Sequence, residues 1–355
     1  MPKPVVVVTG ISGNLGSRLL PMLNSYSVIG VDVTPPHTDL ELQFERMDLG
    51  EESCTRALYE LLRDTHTYAV VHLAFVVDPV RAGVFDPKRM WQINVAGTAR
   101  VMEAVTEANR TTDDGVKQFI FPSSVFAYGP DLRGPATEES PLAAHTLPYA
   151  IHQKESDEVV QQRSPAMRGS SIYILRPHIF TGAKVENYWM GAFRGTLNGK
   201  SARAEKMRRE GKLLPFVLPR GQQYLDHKMQ FIHVDDMARL IRHILQREPE
   251  TQRLTILNVA SRGEPLTLGR CVEMAHAKLL RVPGRWTMRQ VLRFLWWQKI
   301  STIPPDAVPY LTGQSITNTD RLRRFLGPEY EDVIRSTIAE AFADSVRTDG
   351  HKPEV

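Results

Sequence analysis

Runs of consecutive apolar residues recur along the first 180 positions of the chain, and segments of helical periodicity separate them. The apolar runs are continuous rather than alternating, which is typical of strands buried on both faces of a parallel sheet. They are Val5–Thr9, Val28–Val33, Ala69–Ala74, Lys117–Pro122 and Ile172–Arg176. The helical segments are Asn14–Leu23, Ser53–Arg63, Lys88–Ala108 and Tyr149–Gln162. This alternation predicts an α/β domain with a Rossmann-type, doubly wound parallel sheet over residues 1–180.

The pattern becomes irregular after residue 180, and we expect a smaller, mostly helical substrate lobe over residues 181–355. Residues 200–212 are polar and basic, which predicts a surface loop. Later segments, at about 230–262, are expected to return to the first domain. They hold a strand leading into a helix, Phe231–Gln246, and a further strand, Thr255–Val259. Helices are predicted over Thr267–Leu279, Met288–Lys299 and Asp332–Val346.

Composition excludes several classes of protein. The 355 residues are 42% apolar and 24% charged, which excludes a disordered or fibrous chain. Only two cysteines, Cys54 and Cys271, are present, so neither a disulfide scaffold nor a cysteine-based metal site is expected. No apolar stretch approaches 18 residues, so we expect no membrane span and a cytoplasmic protein. The net charge of +4 suits an anionic small ligand and is too small to indicate nucleic-acid binding.

A glycine-rich turn, Thr9–Gly16 with the sequence TGISGNLG, joins the first predicted strand to the first predicted helix. Glycines at such a turn let the backbone approach a pyrophosphate, and the helix N-terminus presents free N–H groups to it. The second strand reaches Asp32, 16 residues after the last glycine. A carboxylate there accepts hydrogen bonds from ribose hydroxyls and repels a 2′-phosphate, so the pattern favours NAD over NADP.

Six further motifs follow the glycine turn in a fixed order. They are Met47–Leu49 (MDL), Val71–Phe75 (VHLAF), Asn94–Thr98 (NVAGT), Ser123–Gly129 (SSVFAYG), Leu175–Pro177 (LRP) with Gly182, and His233–Asp236 (HVDD). Together with TGxxGxxG, this series resembles the extended branch of the short-chain dehydrogenase/reductase superfamily. That branch includes nucleotide-sugar epimerases and dehydratases as well as hydroxysteroid dehydrogenases. The resemblance extends from residue 5 to about residue 345.

The resemblance implies an NAD site and a substrate site formed by residues from several motifs. The implied cofactor contacts are Gly10, Ser12, Gly13, Asn14, Leu15, Gly16, Asp32, Asp48, Leu49, Leu73, Ala74, Phe75, Asn94, Ser123, Pro177 and His178. The implied substrate contacts are Ser124, Tyr149, His178 and Asn187. Relatives pair the helices equivalent to Lys88–Ala108 and Tyr149–Gln162 across a two-fold axis, which implies a homodimer. No metal is implied.

The implied catalytic pair is Ser124 and Tyr149, but the family pattern YxxxK is not met. Gln153 stands at the lysine position, and Lys154 follows one residue late. At 3.6 residues per turn, position 153 lies roughly 40° round the helix from Tyr149, and position 154 lies roughly 140° round. We therefore expect Gln153, not Lys154, beside the tyrosine. An unperturbed tyrosine titrates near pH 10, so a tyrosinate base at pH 7 carries a handicap of about 4 kcal/mol.

Three functions remain open from these residues. The first is an NAD-dependent oxidoreductase or epimerase that transfers hydride at a secondary alcohol or carbonyl, with a nucleotide-sugar-like small-molecule substrate. The second is a hydroxysteroid-type dehydrogenase acting on an apolar alcohol, and the third is an NAD-binding protein with little turnover because Gln153 replaces the lysine. The basic segment 200–212 could bind a diphosphate or be solvated. The amphipathic segment 286–300 could be a lid, a pocket wall, a membrane contact or a packed helix.

Overall fold

A computed structural model describes residues 2–40, 42–112, 114–249 and 253–346. The strands are β1 Val5–Thr9, β2 Ser27–Asp32, β3 Gln43–Arg46, β4 Ala69–His72, β5 Gln118–Pro122, β6 Ser171–Pro177, β7 Ile179–Thr181, β8 Phe216–Pro219, β9 Lys228–Met229, β10 Phe231–His233, β11 Leu254–Val259, β12 Leu266–Thr267 and β13 Leu279–Val282. The α-helices up to residue 209 are α1 Asn14–Leu19, α2 Cys54–Asp64, α3 Pro79–Ala82, α4 Pro87–Trp91, α5 Gly97–Thr111, α6 Pro148–Arg163, α7 Tyr188–Arg194 and α8 Ala202–Arg209. The later ones are α9 Gln222–Leu225, α10 Val234–Gln246, α11 Leu268–Met274, α12 Arg285–Trp297, α13 Val308–Thr312, α14 Asp320–Leu326, α15 Tyr330–Val333 and α16 Ile338–Val346.

The predicted doubly wound parallel sheet is confirmed. Seven strands pair in the order β11-β6-β5-β4-β1-β2-β3, and every pairing is parallel. Successive side chains of β1 point to opposite faces, so Val7 joins the core under α2 and α5, and Val6 and Val8 join the core under α1 and α10. A sheet covered by helices on both faces requires continuous apolar strands, as the sequence has.

The segment 254–259 supplies the seventh strand, because β11 pairs with β6 over its whole length. The helix before it, α10, packs against α1 on the sheet. A third core lies in the C-terminal half, around Trp189, Phe193 and Phe342. Part of the later sequence therefore completes the sheet and its helical cover, since α14 and α15 also pack in the core beside α10, while other later segments pack around the third core.

The predicted surface loop over residues 200–212 is wrong, because residues 202–209 form helix α8. The Ser201 hydroxyl accepts the backbone N–H of Ala204 at 3.2 Å and caps the helix N-terminus. Glu205 pairs with Arg209 one turn further along, and such i, i+4 pairs support a polar helix. The cap and the charge spacing were both visible in the sequence.

Two predicted C-terminal helices are shorter than expected. The helix predicted over Thr267–Leu279 ends at Met274, and Leu279 begins β13. The helix predicted over Asp332–Val346 is interrupted, since α15 ends at Val333 and α16 begins at Ile338. The carboxylate of Asp236 accepts the backbone N–H groups of Arg335 and Ser336, at 3.1 and 3.0 Å, and holds this break.

The long helix predicted over Lys88–Ala108 is continuous but is not α-helical throughout. One π-helical turn, Gln92–Ala96, lies between α4 and α5. Turns of this kind are rare and often lie near functional sites. Here the turn places Asn94, which is fully buried, so that its amide both donates to and accepts from the backbone of Val76.

Candidate functional site

A cleft opens at the carboxyl edge of the parallel sheet, where β1, β2, β4, β5 and β6 end. It consists of two adjoining cavities of about 630 and 270 Å³, which share Gly10, Gly13, Asn14, Leu73 and Phe75 in their walls. The larger cavity runs toward Asp32 and the smaller toward Tyr149. Ligands of open α/β sheets bind at this edge. The cleft is therefore the candidate site.

The glycine turn fits a dinucleotide pyrophosphate. Gly10 has a φ of 70°, and a Cβ there would lie 2.5 Å from the backbone N of Ala74. At Gly16 a Cβ would lie 2.4 Å from the carbonyl oxygen of Ile11. These two glycines allow the turn and α1 to pack closely, while Gly13 caps α1 with its backbone facing both cavities. Asn14 lines both cavities, and Leu15 and Gly16 line the smaller one.

Asp32 lies at the far end of the larger cavity, where β2 ends. Its two carboxylate oxygens accept the backbone N–H groups of Ser12 and Val33, at 3.1 and 2.7 Å. Ser12 lies outside the lining of both cavities and uses its hydroxyl to bond the carbonyl of Thr34. On the neighbouring strand, Arg46 is the register partner of Asp32, a proximity that sequence spacing does not reveal.

Three further predicted cofactor residues line the larger cavity. Asp48 pairs with Arg89 and accepts the backbone N–H of Gly50 at 2.9 Å, and it forms this wall with Leu49 and Ala74. Residue Asn94 lies outside both linings, directly behind the wall at Val76. The Asn94 side chain holds the backbone of Val76 in that wall. It would therefore affect a bound cofactor indirectly, through the position of Val76.

The predicted catalytic pair meets in the smaller cavity. Ser124, at the end of β5, and Tyr149, at the start of α6, both line it, and the Ser124 hydroxyl acts to lower the pKa of the Tyr149 phenol. The Gln153 amide lines the same cavity and acts on the Tyr149 pKa in the same direction. Burial raises the pKa of Tyr149 above its ordinary value of 10.0, while the hydrogen bonds from Ser124 and Gln153 act in the opposite direction.

Gln153 and Lys154 point to different surroundings, as the helix geometry predicts. Gln153 is buried and lines the smaller cavity one turn after Tyr149. Lys154 lies outside both linings, and its ammonium is 3.9 Å from the carboxylate of Glu158 on the same helix. Helix α6 is regular over Pro148–Arg163, so no bulge brings Lys154 round to the tyrosine.

Three buried polar atoms in the wall of the smaller cavity have no partner among the described residues. They are the Ser123 hydroxyl, the Gln153 amide oxygen and Nδ1 of His178. Buried polar groups are normally satisfied, and a group left over at a cavity indicates a ligand that completes it. The three atoms come from different elements and face one cavity. The rest of its wall is mostly apolar.

Three predicted residues after β6 reach the smaller cavity. Pro177 and His178 line it, and His178 uses Nε2 to bond the Thr317 hydroxyl at 3.1 Å. Asn187 lines both cavities, but its amide is already occupied: it accepts the N–H of Met190 at 3.0 Å and donates to the carbonyl of Phe180 at 2.8 Å. Asn187 therefore shapes the wall as the N-cap of α7.

Two connections that sequence reasoning missed cross the mouth of the cleft. Arg81, on α3, pairs with the Glu186 carboxylate at 2.8 Å, and the Tyr188 hydroxyl donates to the carbonyl of Val77 at 3.1 Å. Both connections join the segment after β4 to the segment after β7. No local signal marks them, because each pairs residues more than 100 positions apart.

Burial makes folding sensitive to acid through two histidines. Desolvation lowers the pKa of His72 and of His178 to about 3, so both stay neutral in the folded protein. In the unfolded chain they take up protons below about pH 6.5. The free energy of unfolding should therefore fall by about 1.4 kcal/mol per pH unit for each histidine below that pH. Urea titrations at pH 7.5 and 5.5 measure this change.

The matched variants for this prediction are His178→Gln and His37→Gln. His178→Gln should reduce the difference in unfolding free energy between pH 7.5 and pH 5.5 by the contribution of one histidine, about 1.4 kcal/mol. His37 is exposed, so its replacement should leave that difference unchanged. An unchanged pH dependence in His178→Gln would contradict the assignment of a neutral buried imidazole.

Among the described residues, no group of three or more His, Cys, Asp or Glu side chains could hold a metal ion. Both cysteines are buried and free. In the same ranges, no helix combines the length and the apolar character that crossing a membrane requires. Among the described residues, the polar groups that line the cleft are carboxylates, hydroxyls, amides, one imidazole and the two cations Arg81 and Lys184.

The fold and this cleft together define a Rossmann-type protein of the short-chain dehydrogenase/reductase kind, with a Ser–Tyr pair beside its dinucleotide cleft. A sequence model of the NAD-dependent epimerase/dehydratase family matches residues 6–260. The chain belongs to that family, which confirms the resemblance seen in its motifs.

The curated relatives agree on the kind of enzyme. The chain is 28% identical over 174 residues to UDP-glucose 4-epimerase of Erwinia amylovora, a match covering 45% of this chain and 49% of that protein. It is 26% identical over 204 residues to UDP-glucose 4-epimerase of Drosophila melanogaster, covering 52% and 55%. The chain thus spans about half the length of the curated relatives it matches.

A solved structure covers nearly the whole chain. UDP-glucose 4-epimerase of Thermotoga maritima, solved with UDP-glucose, superimposes with a TM-score of 0.66 at 18% identity over 96% of this chain and 97% of that one. At this identity the likeness shows the fold. It extends the agreement beyond the family-model match, into the C-terminal lobe.

Proposed function

We propose that this protein is an NAD-dependent oxidoreductase or epimerase that transfers hydride at a secondary alcohol or carbonyl of a nucleotide-sugar-like substrate. The observation that carries the proposal is the Ser124–Tyr149 pair, which lies in a cavity continuous with the glycine-turn cavity. The family membership and the UDP-glucose 4-epimerase relatives support the same chemistry.

The cofactor would lie across both cavities. The backbone at Gly13 and Asn14 would hold the pyrophosphate, Asp32 would accept the adenosine ribose hydroxyls, and Asp48 and Leu49 would contact the adenine. The remaining wall is given by Leu73, Ala74, Phe75, Ser123, Pro177 and His178. NAD, when bound, supplies the hydride acceptor. The groups that bind the substrate and move its proton belong to the chain.

Asp32→Ala should weaken the binding of NAD and reduce the ratio of NAD affinity to NADP affinity. The wild-type protein should bind NAD at least about tenfold more tightly, because the Asp32 carboxylate repels a 2′-phosphate. Arg46, the register partner of Asp32, would remain to attract that phosphate after the substitution. Calorimetric dissociation constants for both cofactors test this, with the exposed Asp39→Ala as a control. Equal wild-type affinities would overturn the assignment.

In the proposed reaction, Tyr149 moves the proton and Ser124 positions the oxygen. During oxidation the substrate hydroxyl proton passes to the Tyr149 phenolate as hydride leaves the carbon. The Ser124 hydroxyl bonds the same substrate oxygen, and the reverse step returns the proton from the neutral phenol. The Gln153 amide would donate to the phenol oxygen without adding a charge. The neutral His178 would orient substrate through its unpartnered Nδ1.

Gln153→Lys should increase alcohol oxidation near neutral pH. Burial raises the pKa of Tyr149 above 10.0, so the wild-type rate should climb with pH toward and beyond that value. A cation one helical turn away lowers such a pKa by about 1–3 units, and each unit gives about ten times more phenolate at pH 7. The expected result is a rate at least about tenfold higher at pH 7, with the pH profile shifted down.

Gln162→Lys, exposed near the end of the same helix, is the matched control and should leave the profile in place. Rates of NADH formation from pH 6.5 to 10.5 are the measurement. A Gln153→Lys profile that coincides with the wild-type profile would show that Gln153 does not act on the tyrosine.

A second candidate substrate is an apolar alcohol, as in hydroxysteroid-type dehydrogenases. The specific observation is the wall of the Tyr149 cavity, which is largely apolar and contains no Lys or Arg among its described residues. The nearest cations of the cleft, Arg81 and Lys184, line the larger cavity. The family and its UDP-sugar relatives support the nucleotide-sugar substrate, and the wall composition supports the apolar one.

One experiment separates these candidates. The protein is incubated with NAD and UDP-glucose, and UDP-galactose is followed by chromatography, while NADH with steroid ketones and long-chain ketones is followed by absorbance. Formation of UDP-galactose supports the proposal. Turnover of the ketones alone would replace the nucleotide-sugar substrate with an apolar one. NAD binding without turnover of any of these substrates would favour a cofactor-binding protein.

We also propose a homodimer formed through α5 and α6. Parts of both helices remain partly exposed, including Ile151 and Val159 on α6. Helices of this kind pair across a two-fold axis in relatives, and an isologous contact needs only one self-complementary face. The cytoplasmic location remains a prediction from the sequence.

A further inference from the structure

The outer face of α12 presents large aromatic side chains to solvent. Trp286 is 73% exposed, Phe294 51% and Trp297 72%. Soluble surfaces seldom expose several such side chains together, and a rimmed aromatic patch marks an interaction site. None of the three lines the cleft, so the catalytic proposal does not account for them.

Helix geometry explains why these side chains share one face. Trp286 and Trp297 are 11 residues apart, about three turns or roughly 16 Å along the axis, and point the same way to within roughly 20°. The opposite face is buried, since Met288 and Leu292 pack with Phe216 in the core of the lobe. Packing of the inner face holds the helix in place, so its aromatic face cannot turn inward without breaking that core.

Basic side chains lie beside the exposed aromatic residues on α12 and follow the end of that helix on α8. Arg289 and Arg293 lie on the same outer side of α12 and are exposed. Helix α8 begins where α12 ends, because the backbone N–H of Ser201 donates to the carbonyl of Lys299 at 3.2 Å. The exposed basic residues around α8 are Lys200, Arg203, Lys206, Arg208, Arg209 and Lys212.

The charge of this region is opposite in sign to the rest of the chain. Residues 200–212 carry six basic and two acidic side chains, and residues 285–299 carry four basic and none acidic. The two segments together are therefore +8, while the whole chain is +4, so the remaining residues sum to −4. The concentration of charge at one place favours an extended anionic partner.

We propose that this aromatic–basic patch docks the protein on an anionic lipid surface. The patch consists of Trp286, Arg289, Arg293, Phe294, Trp297 and the basic residues around α8. Trp and Phe enter the headgroup boundary of a bilayer, and Lys and Arg bind its anionic headgroups. With α12 parallel to the surface, both tryptophans reach the lipid at once. The association is peripheral, through one face of a folded lobe.

The alternative occupant is a second copy of this chain bound through the same patch. The patch has eight basic side chains and, beside them, the three carboxylates of Glu205, Glu210 and Asp306, so a two-fold contact would place two net positive surfaces against each other. Like charges at an interface are repulsive and disfavour such a contact. A lipid surface of opposite charge carries no such penalty, so charge complementarity selects the membrane.

Vesicle co-sedimentation of the 355-residue chain tests the proposal. The protein should bind vesicles containing 30 mol% phosphatidylglycerol. It should bind pure phosphatidylcholine at least about tenfold more weakly, and 0.5 M NaCl should release most of it. Trp286→Ser/Trp297→Ser and Arg289→Glu/Arg293→Glu should each lower the partition coefficient about tenfold or more. Tryptophan emission should shift to shorter wavelength on binding in the wild type.

The matched controls are Phe85→Ser and Arg56→Glu, which remove an exposed aromatic ring and reverse an exposed charge elsewhere. Both should bind vesicles as the wild type does, and all variants should keep the wild-type melting temperature. Equal binding by the patch variants and the wild type would overturn the proposal. A second outcome would also overturn it: the wild type self-associates by light scattering and does not bind vesicles, and Trp286→Ser/Trp297→Ser no longer self-associates. That result would assign the patch to a contact with a second copy of the chain.

Discussion

Tyr149→Phe is expected to lower kcat by about 10²–10⁴-fold while leaving NAD affinity nearly unchanged. The substitution removes the single hydroxyl that moves the substrate proton and keeps the ring, which packs edge-on against Phe75 and Phe126. Only the phenol oxygen is removed from the wall, so the shape of both cavities is preserved. Steady-state turnover and calorimetric NAD binding, measured on the same preparation, separate the two effects.

Tyr188→Phe is the matched control for that result. Tyr188 lines the same cavity, but its hydroxyl is bonded to the backbone carbonyl of Val77. Its loss should change kcat less than about tenfold, since no proton passes through it. If Tyr149→Phe kept full activity, other groups would move the proton, and the roles proposed for Ser124 and Gln153 would also be wrong.

Asp157→Ala is expected to destabilise the fold by about 3–5 kcal/mol. Asp157, on α6, accepts two hydrogen bonds from the Arg176 guanidinium of β6, at 2.8 and 2.9 Å, and both side chains are fully buried. Arg176 also donates to the Tyr128 hydroxyl and to the carbonyl of Glu138, at 2.7 and 3.0 Å. Without Asp157, a guanidinium charge remains buried with no counterion.

The size of this effect follows from the charge that stays behind. Burial opposes the charged form of Arg176, yet the neighbouring Asp157 carboxylate raises the pKa of the guanidinium, so it stays charged. Chemical denaturation gives the free energy of unfolding. Arg56→Ala, which breaks an exposed pair with Glu60, should cost less than about 1 kcal/mol. A loss below that level in Asp157→Ala would contradict the buried-pair account.

The double variant Asp157→Leu/Arg176→Met sharpens the test. Replacing both buried charges by apolar side chains often restores stability, because no unpaired charge is left. We expect the double variant to be more stable than Asp157→Ala. Because α6 also carries Tyr149 and Gln153, kcat measured on it shows whether the pair serves the active site or the fold alone.

Much of the first domain could be predicted from local sequence because its signals are short-range. Continuous apolar runs identify strands covered on both faces, and the glycine turn identifies the place where the chain approaches itself. The offset between Gln153 and Lys154 needed only the pitch of a helix, and α6 keeps that pitch. The short edge strand β3 escaped prediction, since its residues Gln43–Arg46 are half-buried or exposed and lack the apolar run.

The sequence by itself determined the parallel sheet, the glycine turn and the absence of a lysine at position 153, and the family resemblance of its motifs implied the Ser124–Tyr149 pair. Only the tertiary structure decided which residues meet across long separations. In the folded chain Arg46 lies beside Asp32, and Arg81 pairs with Glu186. Asn94 lies behind the cleft wall, and the aromatic face of α12 is exposed to solvent. The physical reason is that periodicity specifies which face of an element is apolar, whereas its neighbour depends on the packing of the whole chain.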